Sequence, residues 1–297
     1  MLLRVEHLTR YRYETPAWDS FNELRLRPAD DYRQTLIAFD LRVEPHAELR
    51  SQRDSHGTLT HQFHLAAPHD ELTIRTNSVV ETYAVPIPAP VSSRTLPNLR
   101  HRFFEYLAPT ERVPLDRDWF AALGALPLIG EVELVSYLTE MTAYLREHFR
   151  YVPDATDVDT PLTEFVNVGA GVCQDYAHAM LALCRTAGIP SRYVSGYVHA
   201  DPNNEHRLLG SEGSHAWVEA FLPGNGWVGF DPTNGRPVEE AHVKIGVGDD
   251  YDGVPPVWGL RRGGGVGRLE VEVRVRLEAE ETASSSPAMA WVTADEV

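Results

Sequence analysis

Three residues in this chain have the types and spacing to do chemistry together: a cysteine at the mouth of a helix, a histidine opening one strand and an aspartate closing the next. The stretch GAGVCQDYAHAMLALCRTAGIPSRYVSGYV, residues 169–198, reads as glycine loop, helix, tight turn and strand. Gly169 and Gly171 permit a sharp turn into the alanine-rich run 172–187, and Gly188 and Pro190 stop it. Cys173 therefore falls at the helix N-terminus, where unpaired N–H groups and the helix dipole favour an anion. That position is one way to turn a thiol into a nucleophile. Cys184, in the apolar interior of the same helix, reads as a small packed thiol.

Downstream lies GSEGSHAWVEAFLPGNGWVGFDPTNG. His215 opens an alternating run of strand period, Pro223 to Gly226 form a hairpin turn, and Trp227 to Phe230 return to Asp231-Pro232. A hairpin of this kind brings the start of one arm and the end of the other together, so His215 and Asp231 are expected to be neighbours. Cysteine, histidine and aspartate so delivered suit thiolate catalysis. The thiolate attacks, the imidazole manages the proton, and the carboxylate fixes the ring.

These two stretches, GVCQDYAHAMLALCRTAGIPSRYVSGYV and SHAWVEAFLPGNGWVGFDPTNG, resemble the core of the bacterial transglutaminase-like proteins. That superfamily has a papain-like Cys-His-Asp site and includes transglutaminases, cysteine peptidases and peptide:N-glycanases. The resemblance covers roughly residues 156–235 and implies Cys173 as nucleophile, His215 as base and Asp231 as orienting acid. No metal and no cofactor are expected. Substrate stays open, because one such site serves several reactions.

An acyl-transfer site also needs an oxyanion hole, and the Cys173 backbone N–H is a natural donor. Gln174, next to the nucleophile, and Asn167, six residues before it, are candidates for the second. Asp175 reads as a hydrogen-bond acceptor at the helix start, and His178 as an interior residue. Trp217 and Tyr197 are candidates to shape a substrate groove, with Trp227 nearby, although packing is the commoner fate of such rings.

The elements that position these residues divide in two. Residues 1–90 hold regular short alternating runs (Ile37-Phe39-Leu41-Val43 is the clearest) separated by polar and proline turns, which predicts an antiparallel β-sandwich. Bacterial relatives often carry such an N-terminal domain, and YRYETPAWDSFNELRLRP resembles its opening. Residues 85–97 read as a linker. The core domain, residues 91–297, makes the whole chain α+β, with the cysteine helix packed on an antiparallel sheet. Within it a helix is expected over 131–149, a weaker one over 116–126, and a capped start at Thr160-Pro161. Beyond Asn234 the glycine-rich chain reads as loop, with Asp249, Asp250 and Asp252 as a solvated acidic turn. A strand follows over 268–277, then a loosely docked tail from Glu278. The histidines at 56, 61, 64 and 69 do not make a metal site on strand geometry, since His61 and His64 fall on opposite faces.

Composition sets the outer limits. A net charge of −16 over 297 residues argues against a nucleic-acid partner. No apolar run is long enough to span a membrane, and the N-terminus shows no secretory pattern. Two cysteines make no disulfide framework, so the cytoplasm is the expected compartment. The favoured function is a cysteine peptidase or amidase that cleaves an amide of a peptide or protein substrate through an acyl-thioester. The alternatives are a true protein-glutamine γ-glutamyltransferase and a non-catalytic peptide-binding module. Hydrolysis is preferred because an open groove admits water, and no aromatic cluster is apparent in the flanking loops.

Overall fold

The computed structural model describes residues 1–116, 118–125, 127–200, 208–210 and 213–278. The N-terminal strands are β1 (Leu2–Leu24), β2 (Gln34–Glu44), β3 (Arg50–Arg53), β4 (Leu59–Leu65) and β5 (His69–Thr82). The central part holds α1 (Trp119–Ala122), α2 (Leu134–His148), β6 (Arg150–Tyr151), α3 (Leu162–Val168), β7 (Ala170–Gly171) and α4 (Cys173–Thr186). Then follow β8 (Ser191–Val198), β9 (His215–Leu222), β10 (Gly226–Asp231), β11 (Arg236–Pro237), β12 (His242–Gly248), β13 (Val257–Gly263) and β14 (Arg268–Leu277).

The N-terminal β architecture is one antiparallel sheet curled about the long β1. The first half of β1 pairs with β5 and β14, and the second half pairs with β4 and β13. The β1–β5 register slips between Arg12 and Ala17, and there the sheet turns over on itself. Leu24, Phe63 and Leu65 from one half meet Val43, Leu72 and Ile74 from the other, so the layers of the expected sandwich are halves of a single sheet. The alternation that predicted these strands sets their faces: in β1, Leu3, Val5, His7 and Thr9 are buried between partly exposed neighbours.

The second sheet, β11-β10-β9-β8-β12, carries α4 on one face. Ala216, Val218, Ala220 and Leu222 of β9 join Tyr176, Met180 and Leu183 of α4 in the main core. The other face is lined by Val194, Trp217 and Val247. A third cluster fastens the two sheets: Leu3, Val5 and Val80 pack on Tyr197, Val243 and Ile245. Glu219, fully buried, is held there by Arg192 at 2.6 Å and Lys244 at 2.9 Å, and Lys244 also pairs with Asp31 of the N-terminal part. A buried carboxylate is tolerable only with partners of this kind.

Several expectations need correction. The strand over 268–277 does not belong with the core domain. As β14 it pairs with β1 from Leu3↔Leu277 to Arg12↔Arg268, so the chain returns to finish the sheet it began. The stretch after Asn234 is not merely loop, since β12 and β13 lie within it. Its glycines hid them: Gly246 is required because a Cβ there would come within 2.5 Å of Thr58. The acidic turn is not simply solvated. Asp250 is buried and caps the turn 251–253, accepting from the Asp252 N–H at 2.9 Å, while Asp252 pairs with Arg112 at 2.7 Å. Residues 85–97 do not swing free. Val91, Leu96 and Leu99 are buried, and the Val91 N–H donates to Glu133, which also caps α2. Pro161 rather than Thr160 is the cap residue of α3, and Thr160 bonds to Asp157 instead. The predicted tail lies outside the described residues, apart from Glu278.

Candidate active site

The loop into α4 is shaped by packing and one carboxylate. Gly169 sits in the left-handed region at φ 65°, which ends α3 and redirects the chain. At Gly171 a Cβ would fall 2.5 Å from Asp175 Oδ2 and 2.7 Å from the Phe165 ring, so only glycine fits. Asp175 then caps the helix from within. Its Oδ2 accepts from the Val172 N–H at 2.8 Å and from the Thr156 hydroxyl at 2.5 Å. The result is a half-buried Cys173 as first residue of a fourteen-residue helix, with its N–H beyond the reach of any intrahelical acceptor. Cys184 is fully buried, and that burial pushes its thiol up to about 12.

The hairpin delivers the other two residues as its sequence predicted. Gly224 and Gly226 take positive φ in the turn, and β9 and β10 pair from Gly226↔Leu222 to Phe230↔Val218. His215 Nε2–H donates to Asp231 Oδ2 at 2.9 Å, and both side chains are wholly buried. The opposite nitrogen, Nδ1, is buried without a hydrogen bond, and Cys173, Ser214 and His215 line a common cleft. The thiol lies 3.9 Å from the Ser214 carbonyl oxygen. Burial alone would discourage a charged imidazole. The Asp231 carboxylate outweighs it by charge and hydrogen bond, with Cys173 adding to the effect, and lifts His215 to about 10. Burial likewise disfavours the Asp231 anion, but His215 and then His242 hold its carboxyl far below the usual range. The geometry thus favours a protonated His215 in the cleft it shares with Cys173.

Asp231 is unusually well served. Its Oδ2 also accepts from His242 Nε2 at 3.0 Å and Asn234 Nδ2 at 2.7 Å, and its Oδ1 from the N–H groups of Thr233 and Asn234 at 3.0 and 3.2 Å. Asn234 reaches on to the loop over the site, accepting from the Leu209 N–H at 2.8 Å. The next residue, Gly210 at φ 83°, lies so close to His215 that a Cβ would stand 2.3 Å from Nδ1.

The cleft has a volume of about 550 Å³. Three tyrosines line it, Tyr151, Tyr193 and Tyr251, together with Gln174 and Ser195. Sequence reasoning missed the tyrosines because they come from three separated elements. Tyr251 alone had a local signal, the acidic turn that holds it. The predicted groove residues are elsewhere. Tyr197 is buried between the sheets with its hydroxyl 2.8 Å from His7 Nδ1, and Trp217 is buried on the sheet face away from α4. Trp227 packs with Phe103, Tyr106 and Phe221. Asn167 is exposed on α3 and does not line the cleft. Gln174 does line it, but one of its amide hydrogens is taken by the Val158 carbonyl at 3.1 Å. His178 is interior as expected, its Nε2 accepting the Tyr251 N–H at 3.3 Å.

Residues 131–232 match the model of the transglutaminase-like superfamily, and residues 3–81 match the bacterial transglutaminase-like N-terminal region. An uncharacterized protein of Mycobacterium leprae is 38% identical over 280 residues, 92% of this chain and 98% of that one. The chain belongs to the transglutaminase-like superfamily. Within this superfamily a protein-glutamine gamma-glutamyltransferase of Pseudomonas aeruginosa is 35% identical over 102 residues, 31% of this chain and 15% of that one. The fold is shared with a crystal structure from Cytophaga hutchinsonii provisionally assigned as a cysteine protease. The TM-score is 0.74 at 21% identity, covering 93% of this chain and 90% of that one. Membership and fold together make this a cysteine-dependent enzyme of the transglutaminase-like kind. No helix among the described residues is long and apolar enough to cross a membrane.

Proposed function

We propose that this protein hydrolyses an amide bond of a peptide or protein through an acyl-thioester on Cys173. The observation that carries the reading is His215, held by Asp231 through Nε2 with Nδ1 unpartnered, in one cleft with Cys173. The Cys173 thiolate adds to the amide carbonyl, and the Cys173 N–H supports the oxyanion. The His215 imidazolium gives its Nδ1 proton to the departing amine as the C–N bond breaks. Water then attacks the thioester, His215 takes its proton at Nδ1, and the carboxylic acid leaves with the thiolate restored. Asp231 keeps the ring oriented throughout and stays ionised. Two free thiols suit the cytoplasm as the compartment.

A specific observation favours a second reading. Tyr151, Tyr193 and Tyr251 wall the cleft, so the aromatic surroundings that screen a thioester from water are more developed than the sequence suggested. An amine would then replace water in the second step. The two routes separate in one experiment: a glutamine-containing peptide library is incubated with the protein with and without a millimolar primary amine, and products are weighed by mass spectrometry. Hydrolysis predicts cleaved or deamidated peptides in both arms. Predominant amine adducts would establish transamidation instead.

A further inference from the structure

His242 is a second imidazole on the carboxylate that serves His215. It opens β12, which β9 and β8 separate from β10 in the sheet order, and its side chain reaches Asp231. It is buried, with the Trp217 ring edge-on at 5.4 Å between centroids. Its hydrogen bonds fix its tautomer. Nδ1 accepts the Glu239 N–H at 3.2 Å, so that nitrogen carries no proton, and Nε2–H donates to Asp231 Oδ2 at 3.0 Å. The two imidazoles therefore share one oxygen in different capacities, one as proton carrier and one as fixed neutral donor. We propose that His242 is a positioning residue that draws off part of the Asp231 charge, so that the His215 imidazolium can release its proton to the leaving group.

A further donor on a buried aspartate weakens its hold on the imidazolium and so eases proton release. Here Asp231 is fixed without His242, by Asn234 Nδ2 and by the N–H groups of Thr233 and Asn234. Loss of the His242 donor thus leaves the carboxylate in place but more basic at Oδ2. The titratable groups around His215 are Asp231 from β10, Cys173 from α4 and His242 from β12, with Tyr193 from β8 and Tyr251 interacting in turn with Cys173. Only His242 changes in the test below. The proposal rests on the Cys173–His215 assignment, which the alkylation rate of wild-type protein checks separately.

The test measures the pH dependence of Cys173 alkylation by iodoacetamide in wild type, His242→Gln, His242→Leu and His242→Asn. Glutamine keeps a donor near the Nε2 position. Leucine has none, and asparagine is too short to reach. The alkaline limb, which reports loss of the imidazolium proton, is expected to move up by about half to one pH unit in the Leu and Asn variants. In His242→Gln it should stay near wild type. An alkaline limb that stays or moves down in the folded Leu or Asn variant overturns the proposal. So does loss of the fold in both, which would make His242 structural. A wild-type rate with no pH dependence beyond that of a free thiol would instead remove the Cys173–His215 assignment itself.

Discussion

At the scale of single residues, the placing of Cys173, His215 and Asp231 around one cleft was legible because local rules deliver each of them. A helix start presents Cys173, and the two ends of one hairpin present His215 and Asp231. What surrounds them was not legible. His242 and Tyr193 lie on strands adjacent in the sheet but distant in sequence, and nothing in their own neighbourhoods marks them. The predicted groove residues went wrong for a related reason: Tyr197 and Trp217 sit on alternating strands, and only the packed sheets decide which face is buried. Two predictions belong here. Iodoacetamide at neutral pH should label Cys173 and leave Cys184 untouched in the folded protein, as peptide mapping will show, because Cys184 is fully buried. Asp231→Asn should lower turnover at least about a hundredfold with the fold retained. An amide turned to accept from His242 and Asn234 still loses the charge that supports the imidazolium. Turnover within a factor of a few of wild type would show that another group orients His215.

At the scale of elements, the α4 entry is the most constrained local structure. Gly171 must lack a side chain, because Asp175 and Phe165 occupy the space a Cβ would need. Gly171→Ala should displace Asp175 from the Val172 N–H and cost about 1–3 kcal/mol. It should also slow Cys173 alkylation by shifting the helix start. Thermal melting and the alkylation rate test this together, and an unchanged pair of values would mean that Asp175 does not set the loop. The element-level reading of the sequence did well where alternation was strict, as in β1 and β9. It did poorly where glycines interrupt the period, as in β12, since a strand packed against a neighbouring backbone gives up the side chains that advertise it.

For the whole molecule, topology is the feature that sequence order conceals. β13 and β14 close the sheet that β1 opens, so the first strand and the last described strands stabilise each other. His199 Nδ1–H donates to the Val275 carbonyl at 3.0 Å, and Val273 is buried in the cluster that fastens the two sheets. Truncation after residue 256 should therefore abolish cooperative unfolding rather than trim an accessory strand, as melting followed by circular dichroism will show. An intact cooperative transition would mean that the N-terminal sheet stands without its last strands. Stability should also depend on pH in a definite direction. His215 is raised from its ordinary value near 6.5 to about 10, so its contribution is full below about pH 6.5 and is lost as pH rises through about 10. Urea midpoints should fall over that range in wild type and fall less in His215→Gln. Equal slopes would place the imidazolium's partner outside the folded state.

The central claim is that Cys173 is a nucleophile whose reactivity depends on His215. The direct measurement is the site and extent of acylation by p-nitrophenyl acetate, read by intact mass and peptide mapping in wild type and His215→Ala. The structure predicts one acetyl per molecule, on Cys173, formed rapidly in wild type and far more slowly in His215→Ala. Acetylation at another side chain, or at Cys173 with the same rate in both proteins, would contradict the account.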